Sequence, residues 1–549
     1  MKRLRIIIPG QPFANVFTRL VMPPVGPLYV AAAVRARGGW DVEVIDENNW
    51  TGRGDHRALQ ARRPADVVGF YGGLTSTVPR LYQVARQYKE MGVFTIAGGG
   101  HVDSLPEEAL ASGVDLVVHA EGEESTPELL EAWEREAGFE ETLGVSFLTA
   151  DGEMATTPRR PPITDFTEIA RPDFAMIVER RRPIQRVPVA HLRGCPYHCE
   201  FCSVNRLLGP THGHTIEQTV DYLETFVKQG YRWFFFVDDN FVNERAHTLE
   251  LCRRIEEMAA RHRAELKLVV QLRAEVARDE EMMSAMGDAG VEMVALGLES
   301  PLPEDLKSMK KGQTVEQMRQ DLATFRRYGF YIHGMFIFAY PTRPGMPAPQ
   351  LPLWMQARVF LDFIRKTGID TIQVLKAVPV PGSKLFERLR EQGRILPLKD
   401  VGWEHYDGNF LTYLPDDGSF DQVHEGAVWI MRKFYGGANL LRLGLVVLLA
   451  PFLMAVNSVR NWARLLKERG SRGKPFRTRR RLAAGGWRQL VRQGMRDGYA
   501  DFNRTLRSAA LRSAGYFIVR KWLAQTRNSR FAEVLRRISP PRPRRSGVQ

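Results

Sequence analysis

Short, continuous apolar runs recur through residues 1–390, and each is followed by a stretch with helical periodicity. In the first part the runs are LRIII, DVEVID, ADVVGFYG, FTIAGGG and DLVVHAEGE, separated by helical sequence such as GPLYVAAAVRARGG and TVPRLYQVARQYKEMG. Apolar runs without polar alternation are buried on both faces, as in a parallel sheet covered by crossover helices. The pattern predicts an α/β, flavodoxin-like (Rossmann-type) domain over residues 1–148. Ligands of such sheets sit beyond the carboxyl ends of the strands. Those ends carry Thr75, Ser76 and Thr77, then Gly98, Gly99, Gly100 and His101, then Glu121. Consecutive glycines admit a large flat ligand close to the backbone, and the hydroxyls suit its polar edge. Ordinary tight turns are the competing reading.

Residues 149–184 are rich in Pro, Thr and charge (TADGEMATTPRRPPITDFTEIARPDF) and read as a linker. A second series follows over residues 185–400: RVPVAHL, YRWFFFVDDN, LKLVVQLRAE, EMVALGLES, YIHGMFIFAYP and IDTIQVLKAVPVPG. Six such strands with crossover helices predict a complete or partial (β/α)6 barrel, whose chemistry belongs at the strand C-termini.

Three of the four cysteines, Cys195, Cys199 and Cys202, lie within eight residues directly after the first strand of that series. Three thiolates are one too few for a closed tetrahedral zinc site, unless His198 or His191 completes it. Soft thiolates equally suit an iron–sulfur cluster, and three of them leave one iron of a cubane open. Cys252, on the amphipathic run HTLELCRRIEEMAA, reads as a packed helix residue.

The Cys-x3-Cys-x-aromatic-Cys pattern, with Phe201 in the aromatic slot, resembles the radical S-adenosylmethionine (SAM) superfamily. The resemblance implies a [4Fe-4S] cluster held by the three cysteines and an open iron chelated by SAM. SAM is then cleaved reductively to methionine and a 5′-deoxyadenosyl radical, with electrons from a flavodoxin- or ferredoxin-type donor. It also implies that Phe201 packs near the adenine, that Asp238 and Asp239 in VDDN occupy the place of the SAM-amine motif, and that Arg273 and Glu299 resemble carboxylate and ribose contacts. VDDN departs from the family's Gly-Gly-Glu form, and salt-bridged rim residues are the alternative for Arg273 and Glu299. Placed ahead of such a barrel, the first domain is similar to the cobalamin-binding subfamily, carried by MPPVGPLYVAAAVRARGGWDVEVID, AGGGH and AEGEES. The Asp-x-His-x-x-Gly motif of other cobalamin enzymes is missing, since the loop after the first strand reads PGQPFANVF. The resemblance therefore implies cobalamin without a histidine ligand.

Residues 401–549 read as a mostly helical basic region. From Met431 onward, 28 Lys and Arg face 4 Asp and Glu, a net +24, whereas the other 430 residues carry a net −10. Such a tail points to a polyanionic partner. Leu443–Val459 is uncharged, bounded by Arg442 and Arg460 and broken by Pro451. It reads either as a core helix or as an interfacial or re-entrant anchor, and the arginine- and aromatic-rich segments beyond it favour an anionic membrane surface. Nucleic acid ranks below the membrane because no recognisable RNA-binding motif accompanies the charge. The apolar run before Pro9 is too short for a signal-peptide core. Four cysteines build no disulfide framework, so a cytoplasmic protein is expected, peripheral on the inner face of the cell membrane. The expected activity is C-methylation of an unactivated carbon on a small hydrophobic metabolite or lipid. A non-methylating radical reaction such as ring closure is the alternative, and a cobalamin- or redox-sensing protein is the alternative from another class.

Overall fold

The chain folds around two sheets in this computed structural model, which describes residues 1–13, 21–416, 420–468 and 487–527. The first sheet contains β1 (Lys2–Ile8), β2 (Trp40–Asp46), β3 (Val67–Tyr71), β4 (Phe94–Gly98), β5 (Leu116–Val118), β6 (Val145–Leu148) and β7 (Met154–Thr156). Its order is β2-β1-β3-β4-β5-β6-β7. The first five strands are parallel, with Leu4 beside Val42 on one side and Val67 on the other. This is the flavodoxin-like order expected of the apolar runs.

β6 and β7 add an antiparallel hairpin that composition did not reveal. Met154–Thr156 lies inside the stretch that reads as linker. Its turn closes through Gly152 N–H donating to Thr149 O, with Gly152 at φ +80°. A connection this short has no room for a crossover helix, so only antiparallel pairing is open to it.

The second sheet contains β8 (Val187–Val189), β9 (Trp233–Phe236), β10 (Lys267–Leu272), β11 (Val291–Glu299), β12 (Tyr331–Phe338) and β13 (Thr371–Lys376). All pairings are parallel and follow chain order, and β13 does not pair with β8. The barrel is therefore partial. One buried apolar cluster runs from Leu4, Ile6, Leu28 and Ala31 of the first domain to Val187, Val189 and Phe234 of the barrel. Cys252 is buried in the helix Arg245–Arg261, as its amphipathic run predicts.

The C-terminal region is helical among the described residues: Phe420–Phe434, Ala438–Leu448, Ala450–Glu468 and Trp487–Arg527. The apolar stretch breaks into two helices where Pro451 and its neighbours interrupt it, and the pair is bent by 76°. Among the described residues no single helix is long and apolar enough to cross a membrane, although the bent pair passes by length and composition. Leu441, Leu448 and Phe452 are 73, 74 and 65% exposed, so this stretch is not a core helix. The long last helix docks on the barrel: Arg504 donates to Phe330 O at 2.7 Å, and Arg512 donates to Ile369 O at 2.6 Å.

Candidate active site

The cysteine loop leaves β8 and closes on itself at Gly194, which has φ +80°; a Cβ there would lie 2.9 Å from the carbonyl oxygens of Gly209 and Pro210. Cys195, Cys199 and Cys202 are free, half-buried thiols. Burial pushes the Cys195 thiol up, and the Cys202 thiol up to about 11. The backbone N–H groups of Tyr197 and Val204, bonded to the two sulfurs, pull the other way. Cationic iron would bring such thiols to the thiolate form with release of protons.

Among the described residues no three His, Cys, Asp or Glu side chains converge on a single-ion site. A zinc ion at about 2.3 Å from each sulfur would demand that convergence. His191 cannot complete one: its ring nitrogens meet Thr219 Oγ1 at 2.7 Å and His247 Nε2 at 2.9 Å. Three thiols in one loop, two of them with backbone N–H donors, fit a cluster.

The predicted SAM contacts all lie at this end of the barrel. Asp238 is buried and already accepts the backbone N–H groups of His191 at 2.8 Å and Leu192 at 3.0 Å; burial nevertheless raises its pKa to about 7. Asp239 accepts the Gly194 N–H and is raised to about 6 by desolvation, although the residue is exposed at its edge of the barrel. Arg273 donates to Glu275 and, at 2.6 Å, to Lys311 O, with its guanidinium 4.0 Å above the Tyr197 ring. Glu299, at φ +61°, accepts from Lys311 Nζ at 2.9 Å. Phe201 meets the Tyr340 ring edge-on at 6.4 Å. Asn240 Oδ1, Glu275 Oε2 and Gln313 Oε1 are buried acceptors without a hydrogen-bond partner near these strand ends. Unpaired buried acceptors are rare, and the amine and ribose hydroxyls of SAM would satisfy them.

In the first domain Thr75, Ser76 and Thr77 form a buried 3-10 turn after β3. Gly98 ends β4. Gly99 has φ +113°, and a Cβ there would lie 2.6 Å from Gly73 N, so the turns after β3 and β4 touch through bare backbone. A methyl on Gly100 would stand 2.8 Å from Leu207 Cδ1, on the helix that follows the cysteines. The glycine cradle and the cluster loop therefore share one interface, and the cradle suits a corrin. His101 is buried, with its nitrogens 3.3 Å from Thr75 Oγ1 and 3.5 Å from Glu108, under the edge of Trp403. The other two histidines of residues 1–148 are equally committed: His56 to Tyr88 and Glu47, and His119 to Asp103 and Ser146. None is free to ligate cobalt. Residues 14–17 of the loop PGQPFANVF lie outside the described residues.

Two arrangements had no sequence signal beyond their nearness to the cysteines. Glu121, expected at the ligand edge, instead faces the barrel: it accepts from Arg193 at 2.5 Å, His212 at 3.1 Å and Ile163 N–H at 2.8 Å. Glu200, inside the cysteine loop, is held by Arg388 and Tyr340.

Residues 16–130 match the B12 binding domain family, and residues 189–344 match the Radical SAM superfamily. The chain belongs to the radical SAM enzymes whose barrel follows a cobalamin-binding domain, and its cofactors are a [4Fe-4S] cluster, SAM and cobalamin. It is similar to an uncharacterized methyltransferase of Pyrococcus horikoshii, at 28% identity over 74% of this chain and 87% of the relative. The anaerobic magnesium-protoporphyrin IX monomethyl ester cyclase of Rubrivivax gelatinosus is 27% identical, over 75% and 74% of the two chains. The hopanoid C-2 methylase of Rhodopseudomonas palustris is 25% identical, over 68% and 66%. The solved structure of OxsB, a cobalamin-dependent SAM radical enzyme, shares the fold at a TM-score of 0.62 and 15% identity, covering 98% of this chain and 83% of that one.

Proposed function

We propose that this enzyme is a C-methyltransferase acting on an unactivated carbon of a lipid or other hydrophobic metabolite. The observation that carries the reading is the shared interface of glycine cradle and cluster loop, where Gly100 abuts Leu207. Cys195, Cys199 and Cys202 would hold the cluster, with Asp239, Arg273 and Glu299 at the SAM end of the mouth. When bound, the cluster and SAM supply a hydrogen-abstracting radical and cobalamin supplies a methyl group. The chain orients both groups over one substrate carbon and excludes water there.

The exposed apolar helices favour work at an anionic membrane surface. Leu441, Leu445, Leu448 and Phe452 stand out to solvent beside a tail of net +24. Apolar side chains beside arginines suit the headgroup boundary of an anionic bilayer. A peripheral place on the inner face of the cell membrane, with a flavodoxin- or ferredoxin-type donor, belongs to the same proposal.

Mass spectrometry of lipid and metabolite extracts from cells with and without the gene tests the activity. A product one CH2 heavier than its precursor, present only with the gene, is expected. A product differing only by loss of hydrogen would replace methylation with ring closure, the reaction class of the Rubrivivax relative.

A further inference from the structure

Arg193 stands two positions before the first cluster cysteine, yet its guanidinium belongs to the other domain. Nη1 donates to Glu121 at 2.5 Å and Nη2 donates to Glu123 at 2.5 Å. Both carboxylates are buried at the start of the helix Gly122–Glu134, directly after β5. The guanidinium also lies 4.9 Å from the Tyr29 ring centroid, on the helix Gly26–Arg37, and 5.1 Å from that of Phe166. Its own backbone is fixed by pairing with His212, whose ring reaches the same Glu121. Tyr29 in turn meets His214 at 2.8 Å, so each domain grips the other on both sides of the arginine. A guanidinium spread over two carboxylates has two fixed directions, unlike an ammonium point charge. Simple adhesion between domains would not require that fork to sit beside Cys195.

We propose that Arg193 is a positioning residue that, gripped by Glu121 and Glu123, holds the cluster loop at one fixed placement relative to the cobalamin domain. Glu121 then serves the cluster loop and not the corrin. The proposal rests on the functional reading in that both cofactors must face one substrate carbon, and small misplacement of reacting groups is costly.

The test uses the full chain, loaded anaerobically with iron, sulfide and hydroxocobalamin, then reduced to cob(II)alamin and the paramagnetic cluster. Pulsed EPR reads the distance between the two spins in wild type, Arg193→Met, Arg193→Lys and Glu123→Gln. Wild type should give a single narrow distance. Arg193→Met should lose it while iron and cobalamin loading stay full, and Arg193→Lys should restore it only in part. An unchanged narrow distance in fully loaded Arg193→Met overturns the proposal. If Arg193→Met does not fold or load, Glu123→Gln decides, because it leaves the Glu121 contact intact: a broadened distance supports the clamp and an unchanged one overturns it. A wild-type chain that takes up no cobalamin would end the functional reading instead. The clamp is then decided by hydrogen exchange, where Arg193→Met must accelerate residues 119–124 and 192–202 together, and an unchanged pattern overturns it.

Discussion

The Glu200 carboxylate, between Cys199 and Cys202, is held by the Arg388 guanidinium at 2.9 and 3.1 Å, and the Tyr340 hydroxyl donates to it at 2.6 Å. The middle of the cysteine loop is thus fastened to the helix Lys384–Glu391 beyond the last barrel strand. Removing one partner of a buried ion pair leaves the other uncompensated and costs about 3–5 kcal/mol. Arg388→Met should lower the urea midpoint accordingly and reduce iron retention. Glu200→Gln should cost less, because its amide oxygen still accepts a hydrogen bond and Arg388 also donates to the carbonyls of Pro341 and Thr342. Equal midpoints for wild type and Arg388→Met would show that the pair contributes nothing.

Each cysteine of the loop should be indispensable to the cluster. Reconstituted wild type should hold about four iron and four sulfide per chain, and Cys195→Ala, Cys199→Ala or Cys202→Ala should each lose them. Cys252→Ala should keep them, since that thiol is buried in a barrel helix. Stoichiometric zinc without visible absorption would contradict this.

The commitment of His56, His101 and His119 predicts the axial chemistry of bound cobalamin. Cob(II)alamin on the enzyme should show no nitrogen superhyperfine splitting from a protein ligand, and His101→Ala should leave its EPR spectrum unaltered. A three-line nitrogen pattern that disappears in His101→Ala would mean that the ring leaves Thr75 and Glu108 for cobalt.

Gly99 carries the cradle, so Gly99→Ala should remove cobalamin uptake while leaving iron content intact. A side chain at φ +113° is strained by about 1–3 kcal/mol, and its Cβ would also meet Gly73 N at 2.6 Å. Normal cobalamin binding by Gly99→Ala would show that the two turns need not touch.

Attachment to vesicles containing anionic lipid should have two parts, separable by salt. Basic residues near such a surface contribute about 1 kcal/mol each, and this part weakens with ionic strength. Burial of Leu448 and Phe452 does not. Leu448→Glu with Phe452→Glu should abolish the salt-resistant fraction in sedimentation while leaving low-salt binding. Complete release of wild type by molar salt would exclude insertion.

The eleven parallel strands of the two sheets were legible because each is a short, mostly apolar run set between stretches of helical periodicity, and burial dictates that pattern locally. The cysteine loop was legible because its ligands are neighbours in sequence. Arg193 with Glu123, 70 positions apart, and Glu200 with Arg388, 188 apart, were not, since no periodicity links residues that meet only through the tertiary fold. The hairpin β6–β7 was hidden because its Thr, Asp and Gly content is that of a linker. Net charge alone does not tell which of the tail's arginines face a polyanion: Arg504 and Arg512 are spent on backbone carbonyls of the barrel.

The continuous apolar cluster joining Leu28 and Ala31 to Val187 and Phe234 has a consequence for biosynthesis. The first sheet is complete at Thr156, but strand β9 ends only at Phe236. At ~5–20 residues per second, the intervening chain takes roughly 4–16 s to emerge from the ribosome. For that interval the newborn domain carries an apolar face with nothing to cover it. Translation speed across residues 157–236, and chaperones at the exit tunnel, therefore bear directly on how much of this enzyme reaches its folded state.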